Sequence, residues 1–255
     1  MEPAVISVFT SKELGFKGNP AAVFLCDKML NTEEMQQKAT VIGLPATSFV
    51  NIDEEGRCNV RWFAPDAEIN LCGHGAAAAG IFLSDHLNKK DIMLCYDGGE
   101  IIVTVEEDIF HMSLEAIPII RELPECPESI REGLDIPVLG IYETANKHLI
   151  LTDSANAVKQ MNPDFDRLRE SEIFGYAVTA PGDKVDFVSR TLVPHVNQLE
   201  DYATGSSHAM LVPFWAERLK KNELVADQLS ERGGRFYTKI NGKEVTLSGQ
   251  FERLS

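Results

Sequence analysis

The stretch RWFAPDAEINLCGHGAAAAGIFL, Arg61 to Leu83, contains two structural periods in succession. Val60, Arg61, Trp62 and Phe63 alternate apolar with polar, the pattern of a strand, and Pro65 stops it. From Gly73 to Leu83 no residue is charged, and the next charge is Asp85. A helix that is apolar all round is a buried helix. It falls well short of the roughly 20 residues a bilayer crossing needs, so the expected burial is inside protein, with strands wrapped around it. Its first turn holds Cys72, Gly73, His74 and Gly75, which puts a thiol, an imidazole and two residues lacking a β-carbon where a helix leaves amides outside its own ladder. Such an end attracts an anion.

The same construction recurs. Asp186 to Leu192 (DFVSRTL) reads as a strand and is followed by Pro194 and an acidic pair, Glu200 and Asp201. Then come Tyr202, Ala203, Thr204, Gly205, Ser206 and Ser207, and an apolar run from Ala209 to Ala216. Gly73 and Gly205 stand close to half the chain apart, which indicates an internal duplication. Two helix N-termini converging on one cleft are expected to receive a ligand carrying a carboxylate or a similar anion.

The remaining sequence sets limits. A formal net charge of −15 over 255 residues gives no basic stripe for nucleic acid or an acidic membrane surface. Cys26, Cys58, Cys72, Cys95 and Cys126 are widely spaced and form no Cys-x-x-Cys pair, so neither a disulfide framework nor a zinc knuckle is expected. The start, MEPAVISVFTSKELGF, lacks the basic opening and apolar core of a secretory signal, which places the protein in the cytoplasm. Asn31 followed by Glu34 predicts a capped helix to Ile42. Gly18 and Asn19 predict a turn, with the Asn19 amide or a backbone amide as the functional alternative. Short strands are expected at 4–9, 21–26, 47–52, 59–63, 92–96, 100–105 and 109–114, then near 138–143, 148–152, 176–180, 236–240 and 244–248. A surface helix is expected near Pro163 to Glu170. Pro118, Pro124, Pro127 and Pro137 mark the crossing between two domains, residues 1–117 and 118–255.

Cys72 is either a small buried hydrophobe or, with its pKa lowered by the helix end, a base or nucleophile. His74, between two glycines, has little to pack against locally, which favours a cleft. Asp201 is either a cap or a site residue. No metal-ligand spacing links Cys72, His74 and His208, and Gly-His-Gly is neither a dinucleotide fingerprint nor a phosphate loop.

Several segments together resemble the phenazine biosynthesis protein (PhzF-like) family. They are Gly18-Asn19-Pro20-Ala21-Ala22-Val23, Arg61-x-Phe63-x-Pro65 running to Gly73-His74, and Glu200-Asp201-x-Ala203-Thr204-Gly205-Ser206. Pro213-x-Trp215 and Arg232-Gly233-Gly234 complete the set. The resemblance spans nearly the whole chain. It implies an α+β, diaminopimelate epimerase-like fold: two similar domains, each a β-barrel-like mixed sheet round a central helix, with a site between them. It also implies isomerase chemistry without cofactor or metal on a small carboxylate substrate, and a homodimer. The site residues implied are Cys72, His74 and Asp201 as catalytic groups. Asn19, Gly73, Gly75, Tyr202, Thr204, Gly205 and Ser206 would bind substrate. Where the family's isomerases carry a proton-shuttling glutamate in Ser-Glu-Thr, this chain has Pro45-Ala46-Thr47, and Ala46 cannot carry a proton. Cys72-Gly73-His74-Gly75 is in turn similar to the Cys-Gly-His-Gly of proline racemases, whose second catalytic cysteine would fall at Tyr202. The two functions expected are therefore an isomerase working through Cys72, or a carboxylate-binding relative that has lost the chemistry. Replacing Gly75 or Gly205 by valine is expected to abolish carboxylate binding, measured by calorimetric titration, while leaving the fold largely intact.

Overall fold

The computed structural model describes residues 2–254, and no helix among them is long and apolar enough to cross a membrane. The chain forms two units: one runs to Ser113 and takes in the chain from Ser248 on, and the other is Leu114–Leu247.

In the first unit β1 (Ala4–Thr10), β2 (Asn19–Leu25), α1 (Thr32–Ile42), β3 (Ala46–Ile52), β4 (Cys58–Phe63) and β5 (Glu68–Ile69) lead to α2 (Gly73–Leu87). β6 (Asp91–Tyr96), β7 (Gly99–Glu106) and β8 (Ile109–Glu115) follow. The second unit holds β9 (Ile119–Glu122), α3 (Glu128–Leu134), β10 (Gly140–Thr144), β11 (His148–Leu151), α4 (Ala155–Gln160) and α5 (Phe165–Leu168). Then come β12 (Tyr176–Pro181), β13 (Phe187–Leu192), β14 (Glu200–Asp201), α6 (Gly205–Leu219), β15 (Glu223–Gln228) and β16 (Gly234–Asn241). β17 (Glu244–Arg253) begins in the second unit and ends in the first.

Parallel neighbours need a long crossover, and each unit has two such pairs. β2 lies parallel to β3, with α1 between them in the chain, and β4 lies parallel to β6, with α2 between them. In the second unit β11 is parallel to β12 across α4 and α5, and β13 is parallel to β15 across α6. Antiparallel ladders in the first unit join β1 with β2, β3 with β4, β4 with β5, β6 with β7, β7 with β8 and β17 with β1. With β8 also paired to β17, eight strands close into a barrel. Packed against β1, β2, β3, β6 and β7, α2 is its core. β2 and β3 are buried along most of their length, because α2 packs on one side of them and α1 covers the other through Met35 and Ala39, which join Phe24, Phe49 and Phe63. The α1 start is as its sequence predicts, with Asn31 and Glu34 forming a reciprocal capping box.

Four features depart from the sequence expectation. The boundary is not a single cut at 117, because the last strand registers against β1, Ile6 opposite Arg253 and Val8 opposite Phe251. The proline-rich crossing contains β9 and α3. The helix expected near 163–170 is a single turn, α5, preceded by α4. β15 was not anticipated because it ends in Asp227 and Gln228, whose burial is made tolerable by cross-strand Arg235 and by the loop before α6. Gly18 does occupy a turn with φ 62°, where a β-carbon would also strike the Val8 carbonyl, but Asn19 is already in strand, opposite Val8.

Small side chains along α2 set its distance from the barrel wall. A β-carbon on Gly80 would overlap the Val103 side chain of β7. Alanine is the better helix former by about 1 kcal/mol, yet overpacking a tight core costs typically 1 to 3 kcal/mol, so Gly80→Ala is expected to destabilise the protein. Denaturant unfolding checks this, and a midpoint at or above that of the parent would contradict it.

Candidate active site at two helix starts

The two buried helices are built alike. Each has 15 residues. Each N-cap is extended, Cys72 at φ −116° and ψ 103° and Thr204 at φ −115° and ψ 106°, and neither side chain caps its helix. Each ends on a left-handed residue, Asn88 or Lys220. The strand pair leading into each is also repeated. Phe63 stands opposite Glu68 in β4 and β5, and Leu192 opposite Glu200 in β13 and β14. Two residues before Phe63 and Leu192 are Arg61 and Arg190. Arg61 donates Nε to Glu68 Oε1 and Nη2 to Oε2, both at 2.7 Å, and Arg190 does the same to Glu200 at 2.7 Å. These bidentate pairs fix the short β5 and β14 strands from which the chain turns into each helix. The Arg190 pair is the better buried of the two, and Arg190 also donates to the Met161 carbonyl.

The chemistry at the two starts has diverged. At α2, Cys72 is 5% exposed and its Sγ lies 3.5 Å from Nδ1 of His74, itself 7% exposed. Gly75 is required here by space, since a β-carbon would lie 2.7 Å from Trp62 Cδ1 and 3.1 Å from Cys72 Sγ. The expectation that Gly75→Val spares the fold is therefore corrected: valine would displace the fully buried Trp62, so Gly205 is the position that tests the anion site. Trp62 Nε1 is buried without a hydrogen-bond partner and points to the same region. Ser48 Oγ donates to the Gly75 carbonyl at 3.0 Å and ties the first turn of α2 to β3. Ala46, at the start of β3, is fully buried. An open cleft of about 280 Å³ on β4 to β6 is lined by Arg61, Trp62, Glu68, Asn70, Tyr96 and Asp97, and neither Cys72 nor His74 lines it. The thiol and the imidazole stand instead at the start of α2, beside the amides of its first turn.

At α6 the thiol is replaced by hydroxyls. Thr204 N–H donates to Gln228 Oε1 at 2.9 Å, and Gln228 Nε2 donates to the Asp201 carbonyl at 2.6 Å and to Thr204 Oγ1 at 3.1 Å. Ser230 Oγ donates to the Tyr202 carbonyl at 2.6 Å, and the Arg232 guanidinium lies 5.5 Å from the Tyr202 ring centre. Gln228 and Ser230 thus hold the loop carrying Asp201, Tyr202 and Thr204; sequence reading missed both because β15 was not recognised. Asp201 sits in β14 and Thr204 is the cap of α6, which removes the capping reading of Asp201. Asn19 is buried at the head of β2 in the first unit. His208, one turn into α6, is fully buried, bonded to the Thr204 carbonyl at 2.9 Å and stacked 3.5 Å from Phe236, and burial holds its pKa down to about 4. It is a neutral packing residue. Among the described residues no three His, Cys, Asp or Glu side chains converge as a metal site would.

Lys147 was not anticipated. It precedes β11 and is 5% exposed, with Nζ donating to Asn146 Oδ1 at 2.5 Å and to Ser206 Oγ in the first turn of α6 at 3.0 Å. Burial lowers its pKa from 10.5 to about 8, against the opposing field of Asp201. A lone lysine in a polar turn carries no sequence signal for such a position.

The closed barrel and the helix it encloses define the fold class, an α+β, epimerase-like barrel round a central helix. The chain belongs to the phenazine biosynthesis-like protein family, whose model matches residues 6–251. It is 35% identical to an uncharacterized isomerase of Pseudomonas aeruginosa, over 98% of this chain and 96% of that protein. A crystal structure of a PhzF-family phenazine biosynthesis protein from Enterococcus faecalis superposes with a TM-score of 0.91 at 30% identity, covering 100% of this chain and 98% of that one. A probable proline racemase from Agrobacterium radiobacter shares the fold, with a TM-score of 0.67 at 8% identity over 100% of this chain and 91% of that one.

The depressed pKa of Lys147 has a thermodynamic consequence. Between about pH 8 and pH 10.5 the unfolded chain keeps a proton that the folded chain has released, so this group makes stability rise with pH across that window. Lys147→Met, which removes the buried charge, is expected to exceed the parent in stability by roughly 3 kcal/mol below pH 8, with the gap closing by pH 10.5. Denaturant unfolding at pH 7 and pH 10 measures it. A pH-independent gap would contradict the assignment.

Proposed function

We propose that the protein is a cofactor-independent isomerase that moves a proton at a carbon of a small carboxylate substrate, with Cys72 as base. The observation that carries this reading is the Cys72 Sγ to His74 Nδ1 distance of 3.5 Å at the start of α2. A thiol beside an imidazole at a helix N-terminus can pass its proton to the ring and act as thiolate. Removing a proton next to a carboxylate builds negative charge on that carboxylate, and amides of a helix first turn are placed to stabilise such charge. In a substrate with a carbon–carbon double bond next to that carbon, the electron pair left behind shifts the double bond and the protonated thiol returns the proton to its far end, which gives isomerisation by a single base. At this start Gly73 and Gly75 serve as binding groups, offering backbone amides with no side chain in the way.

One observation favours a second reading. Ala46 presents only a buried methyl where the family's isomerases place a glutamate, so a carboxylate-binding protein without turnover is the alternative. Incubation with a panel of amino acids and cyclic carboxylates in deuterated water separates the two. Deuterium at carbon supports the isomerase, and binding without exchange supports the alternative.

The thiols give a sharper check. Burial raises the pKa of Cys26, Cys58 and Cys126, while Cys95 is partly exposed. Bound carboxylate is expected to protect Cys72 from iodoacetamide and to leave Cys95 reacting at its original rate. Exchange is expected to fall by at least about 100-fold in Cys72→Ala, the usual size of a general-base contribution, and to be retained in Cys95→Ala. Unchanged exchange in Cys72→Ala would remove the thiol from the mechanism.

A further inference from the structure

We propose that Lys147 is the cation that receives a carboxylate group of the ligand, acting together with Ser206 and the backbone amides at the start of α6. The inference rests on the carboxylate reading above and adds to it a residue and a selection rule. The ammonium group has three donors, and two are taken by neutral acceptors, Asn146 Oδ1 at 2.5 Å and Ser206 Oγ at 3.0 Å. Among the described residues no carboxylate lies within ion-pair distance of Nζ. Asp201 on β14 is the one opposing charge whose field it feels. A buried cation lacking a contacting counter-charge is costly, and buried charges are ordinarily paired.

The position is built rather than incidental. Thr144 Oγ1 donates to the Lys147 carbonyl at 2.6 Å and accepts the Asn146 N–H at 3.2 Å, which folds the turn between β10 and β11 so that residue 147 points inward. His148 N–H donates to the Gly175 carbonyl at 2.9 Å. A β-carbon at Gly175 would lie 3.4 Å from Lys147 Cδ, so the lysine stem runs over a residue with no side chain. The Phe174 ring, 5.9 Å from Nζ, shields the group further. Nζ is thereby delivered to Ser206 in the first helical turn, where the amides outside the helix ladder and the positive end of the macrodipole already favour an anion. A lysine, a hydroxyl and helix amides together suit a carboxylate; a neutral amide can accept the same hydrogen bonds through its carbonyl but lacks the charge that makes them strong. The pH at which Lys147 loses its proton becomes the upper limit for tight binding.

Calorimetric titration of the intact protein with acetate, benzoate and succinate, and with benzamide as the neutral control, tests this at pH 6.5 and pH 9.5. Carboxylate affinity is expected to fall at least tenfold between the two pH values in the parent protein, with benzamide failing to bind at either. Lys147→Met is expected to bind carboxylates at least tenfold more weakly at pH 6.5 and with no pH dependence. Lys147→Arg, protonated at both pH values, is expected to bind equally at both. Carboxylate binding by Lys147→Met as tight as the parent's, or failure of all three carboxylates to bind the parent, would overturn the proposal. Should Lys147→Met fail to fold by circular dichroism, a lysine side-chain NMR titration of the parent decides instead: saturating benzoate should raise the Lys147 pKa, and no rise would overturn it. The deuterium experiment is independent of these outcomes. Exchange in the parent with an unchanged KM in Lys147→Met rejects the lysine and leaves the isomerase standing, whereas absent exchange with Lys147-dependent binding does the reverse.

Discussion

A helix enclosed by a closed barrel can meet solvent or ligand only at its ends, and most of this structure follows from that constraint. The side chains of α2 face wall on every side, so they must be small or apolar: four successive alanines, glycines at 75 and 80, and Ile81 and Leu83. Its polar groups sit at its two ends, Cys72 and His74 at the first and Ser84, Asp85 and His86 at the last, and only the first turn leaves amides outside the helix ladder. The thiol and the imidazole are therefore found where the fold permits polarity and where the field of the helix favours an anion.

The duplication shows how much chemistry one backbone can exchange. Both halves keep the parallel crossover, the arginine–glutamate pair between the entering strands, the extended N-cap and the left-handed exit. These features set where the helix begins, and substitutions there would move the site. Around them the polar groups differ. Cys72, His74 and Gly75 beside Trp62 occupy one half; in the other, Lys147 donates to Ser206, Gln228 holds Thr204, and Thr191 Oγ1 donates to Ser207 Oγ at 2.9 Å. One start carries a thiol beside an imidazole, and the other carries hydroxyls beside a buried ammonium group.

Histidine and lysine illustrate two outcomes of burial in the second half. His208 loses its charge at little cost, because a neutral imidazole is an ordinary packing group and stacks on Phe236. Lys147 remains close to its charged form at neutral pH, since a displacement to about 8 still leaves it mostly protonated there. An apolar residue at 147 would avoid the cost of the buried charge, so the lysine is a local conflict between polarity and burial.

The sequence by itself determined the two buried helices, their glycine-opened starts, the capping box of α1 and the duplication. Each of these rests on residues within a few positions of one another: an uncharged run, a proline stop, an asparagine three residues before a glutamate. Cys72 and His74 were legible for the same reason, being two residues apart on one turn. The tertiary structure decided what depends on strand register. Lys147 meets Ser206, and Gln228 meets Asp201 and Thr204, only because β11 and β15 take particular places in their sheets. The end of the chain joins the first unit only because β17 pairs with β1 across almost the whole length of the sequence. Periodicity and capping are short-range, but sheet partners are chosen by burial and backbone hydrogen bonding among segments far apart in the chain, and no local pattern encodes that choice.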